Sequence, residues 1–198
     1  MKLSNYLSQK IVAILEANHV IAEKEKDLYL YCVDFLFDVI IFNLTILLVG
    51  ILCKKAAIAL LILITLSPTK MLAGGAHAPN QLLCSIISYS ISFLILFFAE
   101  PLSLFSSYLW VILFLVSLVA ILLMCPVDTP NKRFLKSQKR KLKIICSIYL
   151  FCLSILFFIL FLLHCKSLYT TMCLCVIVIA INQGIGIFLN QRRTPNEA

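Results

Sequence analysis

Charge is what this sequence has least of. Charged side chains make up 13% of its 198 residues and hydrophobic ones 62%, where a soluble domain carries about a quarter charged and about half apolar. No Asp, Glu, Lys or Arg occurs in 56–69, 71–99, 101–127, 144–165 or 167–191. A water-soluble globule of this size has too little interior to hide that much apolar surface. The composition therefore reads as an integral membrane protein. A signal peptide is also missing, because Met1 to Asp27 is polar, mixed in charge and without a long apolar core.

The charge that is present is unevenly placed. Of 17 basic residues, Lys132, Arg133, Lys136, Lys139, Arg140, Lys141 and Lys143 share one stretch between two apolar runs. In a membrane protein such a basic stretch is the positive-inside signal, so the net charge of +8 is not evidence of a nucleic-acid partner. Nine cysteines suggest a disulfide scaffold at first sight. Most of them, including Cys32, Cys53, Cys146, Cys152, Cys173 and Cys175, fall inside apolar runs, where they act as small hydrophobes. The odd total also fits reduced thiols.

Along the chain, Leu3, Tyr6, Leu7, Ile11, Ile14 and Leu15 recur at helical spacing among charged neighbours, so 3–27 reads as an amphipathic interfacial helix. Six apolar segments follow, near 35–53, 56–67, 82–99, 102–125, 144–163 and 168–189. The expected fold is an all-α integral membrane protein, with 1–198 as a single membrane domain. The last four segments are long enough to span, whereas the first two look short and could be a hairpin that only dips. The basic loop at 126–143 should face the cytoplasm. Counting from it places the 68–84 loop and both termini on the cytoplasmic side of a bacterial cell membrane. Lys54 and Lys55 violate the charge rule and favour the dipping version.

The stretch Ser67-Pro-Thr-Lys-Met-Leu-Ala-Gly-Gly-Ala-His-Ala-Pro-Asn-Gln-Leu-Leu-Cys84 concentrates chemistry. In one continuous helix, residues seven apart lie about 10 Å apart along the axis, too far for a thiol–imidazole hydrogen bond. Pro79, Gly74 and Gly75 break the helix, so the loop can fold His77 back toward Cys84. A thiolate near the start of a membrane helix gains from the positive helix end and from a neighbouring imidazolium. A cysteine nucleophile needs that arrangement. The plainer reading is a structural Cys on an apolar helix and an interfacial His. His164–Cys165 is a weaker pair, because adjacent residues do not face each other on a helix.

A basic residue, three residues, Gly-Gly, one residue, His, and Cys seven further on resembles the accessory gene regulator B (AgrB) family of quorum-sensing membrane peptidases. Lys70, Gly74, Gly75, His77 and Cys84 match in order and spacing. Cys125-Pro-Val-Asp-Thr-Pro-Asn-Lys132 resembles the family's Pro-x-Asp-x-Pro-Asn-Lys element. The family usually carries Arg where this chain has Lys70, which replaces a bidentate carboxylate binder with a point charge. The resemblance implies a cysteine endopeptidase, without cofactor or metal, that cuts a short AgrD-like propeptide and holds it as an acyl-enzyme. An internal Cys or Ser would then close a cyclic thiolactone or lactone. In those terms Cys84 is the nucleophile and His77 the general base and later acid. Lys70, Gly74, Gly75, Ser85, Asp128, Pro130, Asn131 and Lys132 support the site or touch the substrate. The bilayer is the other partner, and the resemblance leaves room for a homodimer.

Two other classes compete. A small transporter or channel would suit the short segments and Asp34 and Asp38. It suits the long helices poorly, because ion and proton paths usually carry ionisable groups at mid-membrane. A cysteine-dependent acyl transferase would share the nucleophile. The Pro126–Lys132 stretch also has a plain reading as a helix stop and turn.

Overall fold

The computed structural model describes residues 3–18, 20–21, 23–76, 81–127 and 136–193. His77, Asp128, Pro130, Asn131 and Lys132 lie outside the described residues. Among the described residues the chain forms seven α-helices and a short 3-10 turn. The helices are α1 (Leu3–Ala17), α2 (Lys26–Leu52), α3 (Ala56–Ala73), α4 (Gln81–Leu102), α5 (Ser107–Met124), α6 (Lys136–Leu162) and α7 (Lys166–Arg193). All but α1 are long and apolar enough to cross a membrane. This is an all-helical, multi-pass membrane architecture.

The chain divides into two compact units, 1–49 and 50–198. In the first, the amphipathic helix is shorter than its sequence pattern: α1 stops at Ala17 and a 3-10 turn at Glu23–Glu25 precedes α2. At that end Asn18 donates twice to the Ile14 carbonyl, from its backbone amide at 3.1 Å and from its side-chain amide at 2.8 Å. Glu16 pairs with Lys26 at 2.7 Å, and the Ser8 hydroxyl donates to Asp34 at 3.4 Å. Asp34 is thus tied to α1.

The two segments expected to be short are full-length helices. α2 begins nine residues before Phe35 and runs for 27 residues, because Leu28 to Val33 adds an apolar turn that its flanking charges obscure. α3 runs for 18 residues, straight through Pro68. A proline there leaves the carbonyl of Ile64 without its helical donor. The Tyr149 hydroxyl of α6 donates to that same Ile64 carbonyl at 2.5 Å. A neighbouring helix thus supplies the missing bond, which is how membrane helices tolerate proline.

In the second unit α7 is the central helix, packed against α3, α4, α5 and α6. Its inward face carries Thr170, Thr171, Met172, Cys173, Cys175, Val176 and Ile179, all fully buried. Small and hydroxylated residues let backbones approach closely where lipid supplies no hydrophobic drive between helices. Phe114 of α5 stacks on Phe157 of α6 with ring centroids 3.9 Å apart. Tyr169 leans on Phe157 edge-on and donates its hydroxyl to Ser107 at 2.8 Å. Large apolar side chains such as Leu123, Phe151 and Leu162 point outward, as a lipid-facing surface requires.

The bundle has two distinct ends. At one, Lys55 pairs with Glu100 at 2.7 Å, joining the α2–α3 turn to the end of α4. That partner offsets one of the two lysines that break the charge pattern of the sequence. The other end brings together the close of α3, the residues after α5 and the last third of α7, and the candidate site lies there.

Candidate functional site

α3 ends at Gly74 because that residue takes a backbone conformation that other residues avoid. Its φ of 72° and ψ of −163° lie in a region essentially reserved for glycine. Gly75 follows with φ of 146°. The chain thereby turns out of the helix into a short extended segment, Gly74–Ala76. The expected loop at 68–84 is accordingly narrower, since residues 68–73 continue α3 and Gln81–Cys84 open α4.

The extended segment joins the two sequence motifs. Gly74 forms a parallel β-bridge with Val127, and the Val127 amide donates to the Ala73 carbonyl at 3.1 Å. Val127 follows a cis Cys125–Pro126 bond and is itself buried. Motifs some fifty residues apart in sequence are therefore one backbone element in space. The bridge leaves no room for a side chain: a Cβ on Gly74 would stand 2.5 Å from the Val127 carbonyl oxygen. Gly74→Ala should lose about 1–3 kcal/mol from backbone strain alone, visible as a lower thermal midpoint in detergent. Gly184→Ala, with open space around the new methyl, should leave the midpoint unchanged or raise it.

α7 supplies the other wall. The Ala76 amide donates to the Asn182 carbonyl at 3.1 Å. The side-chain amide of Gln183 donates to Ala73 at 3.0 Å, so that one carbonyl accepts from both Val127 and Gln183. Gly186 sits under the strand, where a Cβ would lie 2.8 Å from the Ala76 nitrogen and the Gly75 carbonyl carbon. Gln183 is fully buried, and its carbonyl oxygen has no hydrogen-bond partner among the described residues. Leaving such an atom unpaired costs about 1–3 kcal/mol. Sequence reasoning missed Asn182, Gln183 and Gly186. Their signal was Asn-Gln-Gly-Ile-Gly at 182–186, the polar and flexible interruption of an otherwise apolar run.

Cys84 is the fourth residue of α4 and is half-buried, with Ser85 beside it. It therefore sits in the first turn, where the helix end is positive. Lys70, in the last turn of α3, donates its ammonium to the Ser88 hydroxyl at 3.4 Å. Ser88 is one turn beyond Cys84 on the same helix face, and Lys70 and Cys84 interact electrostatically. None of the nine cysteines is in a disulfide. Cys125 is the other thiol near the bridge. The Cys146 thiol, by hydrogen bonding, holds it below its ordinary pKa, but Cys125 is only 5% exposed. A reagent or substrate has little access to it.

A multi-pass helical membrane protein with a polar, glycine-shaped site at one end of its bundle is the class these features define. The accessory gene regulator B family model matches residues 8–187, and the chain belongs to that family. Among curated relatives it is 28% identical over 162 residues to an AgrB-like protein of Clostridium perfringens (strain SM101 / Type A), covering 75% of this chain and 73% of the relative. A second AgrB-like protein, from Clostridium perfringens (strain 13 / Type A), is 28% identical over 161 residues, with 75% and 73% covered. No solved structure matches the chain. Family membership assigns the protein a role in the accessory gene regulator system.

Proposed function

We propose that the protein is a membrane cysteine endopeptidase that cleaves a short AgrD-like propeptide and passes it on as a thioester. The observation that carries this reading is the placement of Cys84. It opens a membrane helix with the Lys70 ammonium against the same face, and the Gly-Gly strand before it is locked to the second motif. A positive helix end and a nearby cation both favour thiolate over thiol. His77 takes the thiol proton as general base. The Cys84 sulfur attacks the scissile carbonyl, the C–N bond breaks, and the leaving amine takes the proton back from His77. An internal thiol or hydroxyl of the peptide then attacks the thioester, releasing Cys84 and closing a thiolactone or lactone ring. Thioester exchange onto a thiol is nearly balanced in energy. A partly dehydrated site slows the competing loss to water. Backbone N–H groups at the start of α4, around Cys84 and Ser85, would receive the developing oxyanion. Asp128, Pro130, Asn131 and Lys132, continuing from Val127, would meet the substrate.

In this reading the site end faces the cytoplasm, where a ribosome-made precursor first appears. The basic stretch between 131 and 143 supports that side, and six crossings would then return both termini to it. A bulky, membrane-impermeant thiol reagent should leave Cys84 unlabelled in intact cells and reach it in inverted vesicles. Cys165, in the turn before α7, should show the opposite pattern. Ready labelling of Cys84 from outside would exclude a cytoplasmic processing site.

A further inference from the structure

We infer that Gln183, in the room left by Gly186, is the positioning residue of this site, holding the Gly74–Ala76 strand on α7 so that it meets the Cys84 helix in a fixed register. This rests on the endopeptidase reading above and adds a residue from outside both motifs.

Three observations converge on α7. Gln183 donates to the Ala73 carbonyl at 3.0 Å, and that same carbonyl takes the Val127 amide at 3.1 Å. One acceptor thus ties together the end of α3, the second motif and α7. One turn away, Gly186 offers bare backbone to Gly75 and Ala76, while the Asn182 carbonyl accepts from Ala76 at 3.1 Å. The strand is thus held by α7 at Ala76 and at Ala73, the residue just before it, and His77 follows directly in sequence. The third observation is the environment. Gln183 is fully buried in a helix without a charged residue between 167 and 191, and its own oxygen is unpaired among the described residues. A leucine of similar volume would remove that unpaired atom, so bundle stability alone gives little reason for an amide here. The group it serves is the Ala73 carbonyl. α7 also packs on α4, the helix that carries Cys84, so one rigid element sets the spacing between strand and nucleophile.

The test uses the full-length protein in membranes with a fluorescent propeptide. Gln183→Leu keeps volume and removes the bond. It should lower kcat at least tenfold with KM within twofold. The rising limb of cleavage against pH should move up toward the value of an unassisted thiol, about 8.5. A thiol introduced by Val127→Cys, read by site-resolved mass spectrometry, should be labelled at least tenfold faster when Gln183→Leu is added. Gly186→Ala, which wedges the strand away, should give the same three changes. Unchanged labelling would show that Gln183 does not hold the strand. Faster labelling with unchanged kcat and pH profile would show that the strand's placement does not matter to the reaction. Either result overturns the inference. Should Cys84→Ala still cleave in the same assay, the endopeptidase reading falls by itself, and the labelling arm alone decides whether Gln183 anchors the strand.

Discussion

Cys84→Ala should lower propeptide cleavage by about four to six orders of magnitude, the loss expected when a covalent nucleophile is removed, while leaving the amount of protein in the membrane unchanged. The second half of that expectation comes from the fold. Cys84 is half-buried on the first turn of α4, unlike Cys173 and Cys175, which are fully buried on α7. Removing one sulfur there opens no large cavity, so insertion and abundance should survive. Four of the other thiols are poorly placed to substitute. Cys125 and Cys146 are enclosed, and Cys53 and Cys165 belong to turns at the far end of the bundle. Cleavage near the wild-type rate in a Cys84→Ala variant would remove the enzyme assignment.

His77→Ala should be nearly as damaging to cleavage, and it carries a second readout that does not depend on substrate. An unassisted thiol with a pKa of about 8.5 is only a few per cent thiolate at neutral pH. Without the imidazole, labelling of Cys84 by a small thiol reagent at pH 7 should slow severalfold. Lys70 and the helix end would still favour the thiolate to a degree, so slowing short of the free-thiol limit is the expected pattern. Equal labelling rates with and without His77 would mean that the imidazole does not activate Cys84.

Much of this architecture was legible in the sequence because membrane burial writes a coarse signal. Uncharged runs of about twenty residues have few alternatives to spanning helices, and all four long ones are helices, although α5 begins at Ser107 instead of 102 and α6 at Lys136 instead of 144. What the sequence obscured depends on partners distant in the chain. α3 was cut short at Pro68 because proline is a local stop signal, whereas the Tyr149 hydroxyl that rescues it lies far along on α6. The start of α2 is obscured because Lys26, Asp27 and Asp34 flank the apolar turn Leu28–Val33. The amphipathic pattern at 3–27 overruns the end of α1 at Ala17, since periodicity does not register where a helix stops.

The site divides along the same line. The Gly-Gly, His and Cys spacing and the second motif are readable as local strings, and glycine at 74 has a local reason in its positive φ. That Val127 bridges to Gly74 is a tertiary fact that neither string contains. The α7 wall was invisible for a different reason. Asn182 acts through its backbone carbonyl, and Gly186 through the absence of a side chain. Gln183 has an informative side chain, but a single amide in an apolar helix does not announce what it binds.

The central claim is that Cys84 carries the propeptide as a thioester, and intercepting that species tests it most directly. The protein in membranes should be mixed with propeptide, quenched in acid within seconds and digested for mass spectrometry. A propeptide variant with its internal nucleophile replaced by alanine should let the intermediate accumulate. The account predicts an adduct on the peptide containing Cys84, equal in mass to the propeptide's amino-terminal fragment and released by hydroxylamine. Cleaved propeptide with no adduct on Cys84, or an adduct on another cysteine, would contradict it.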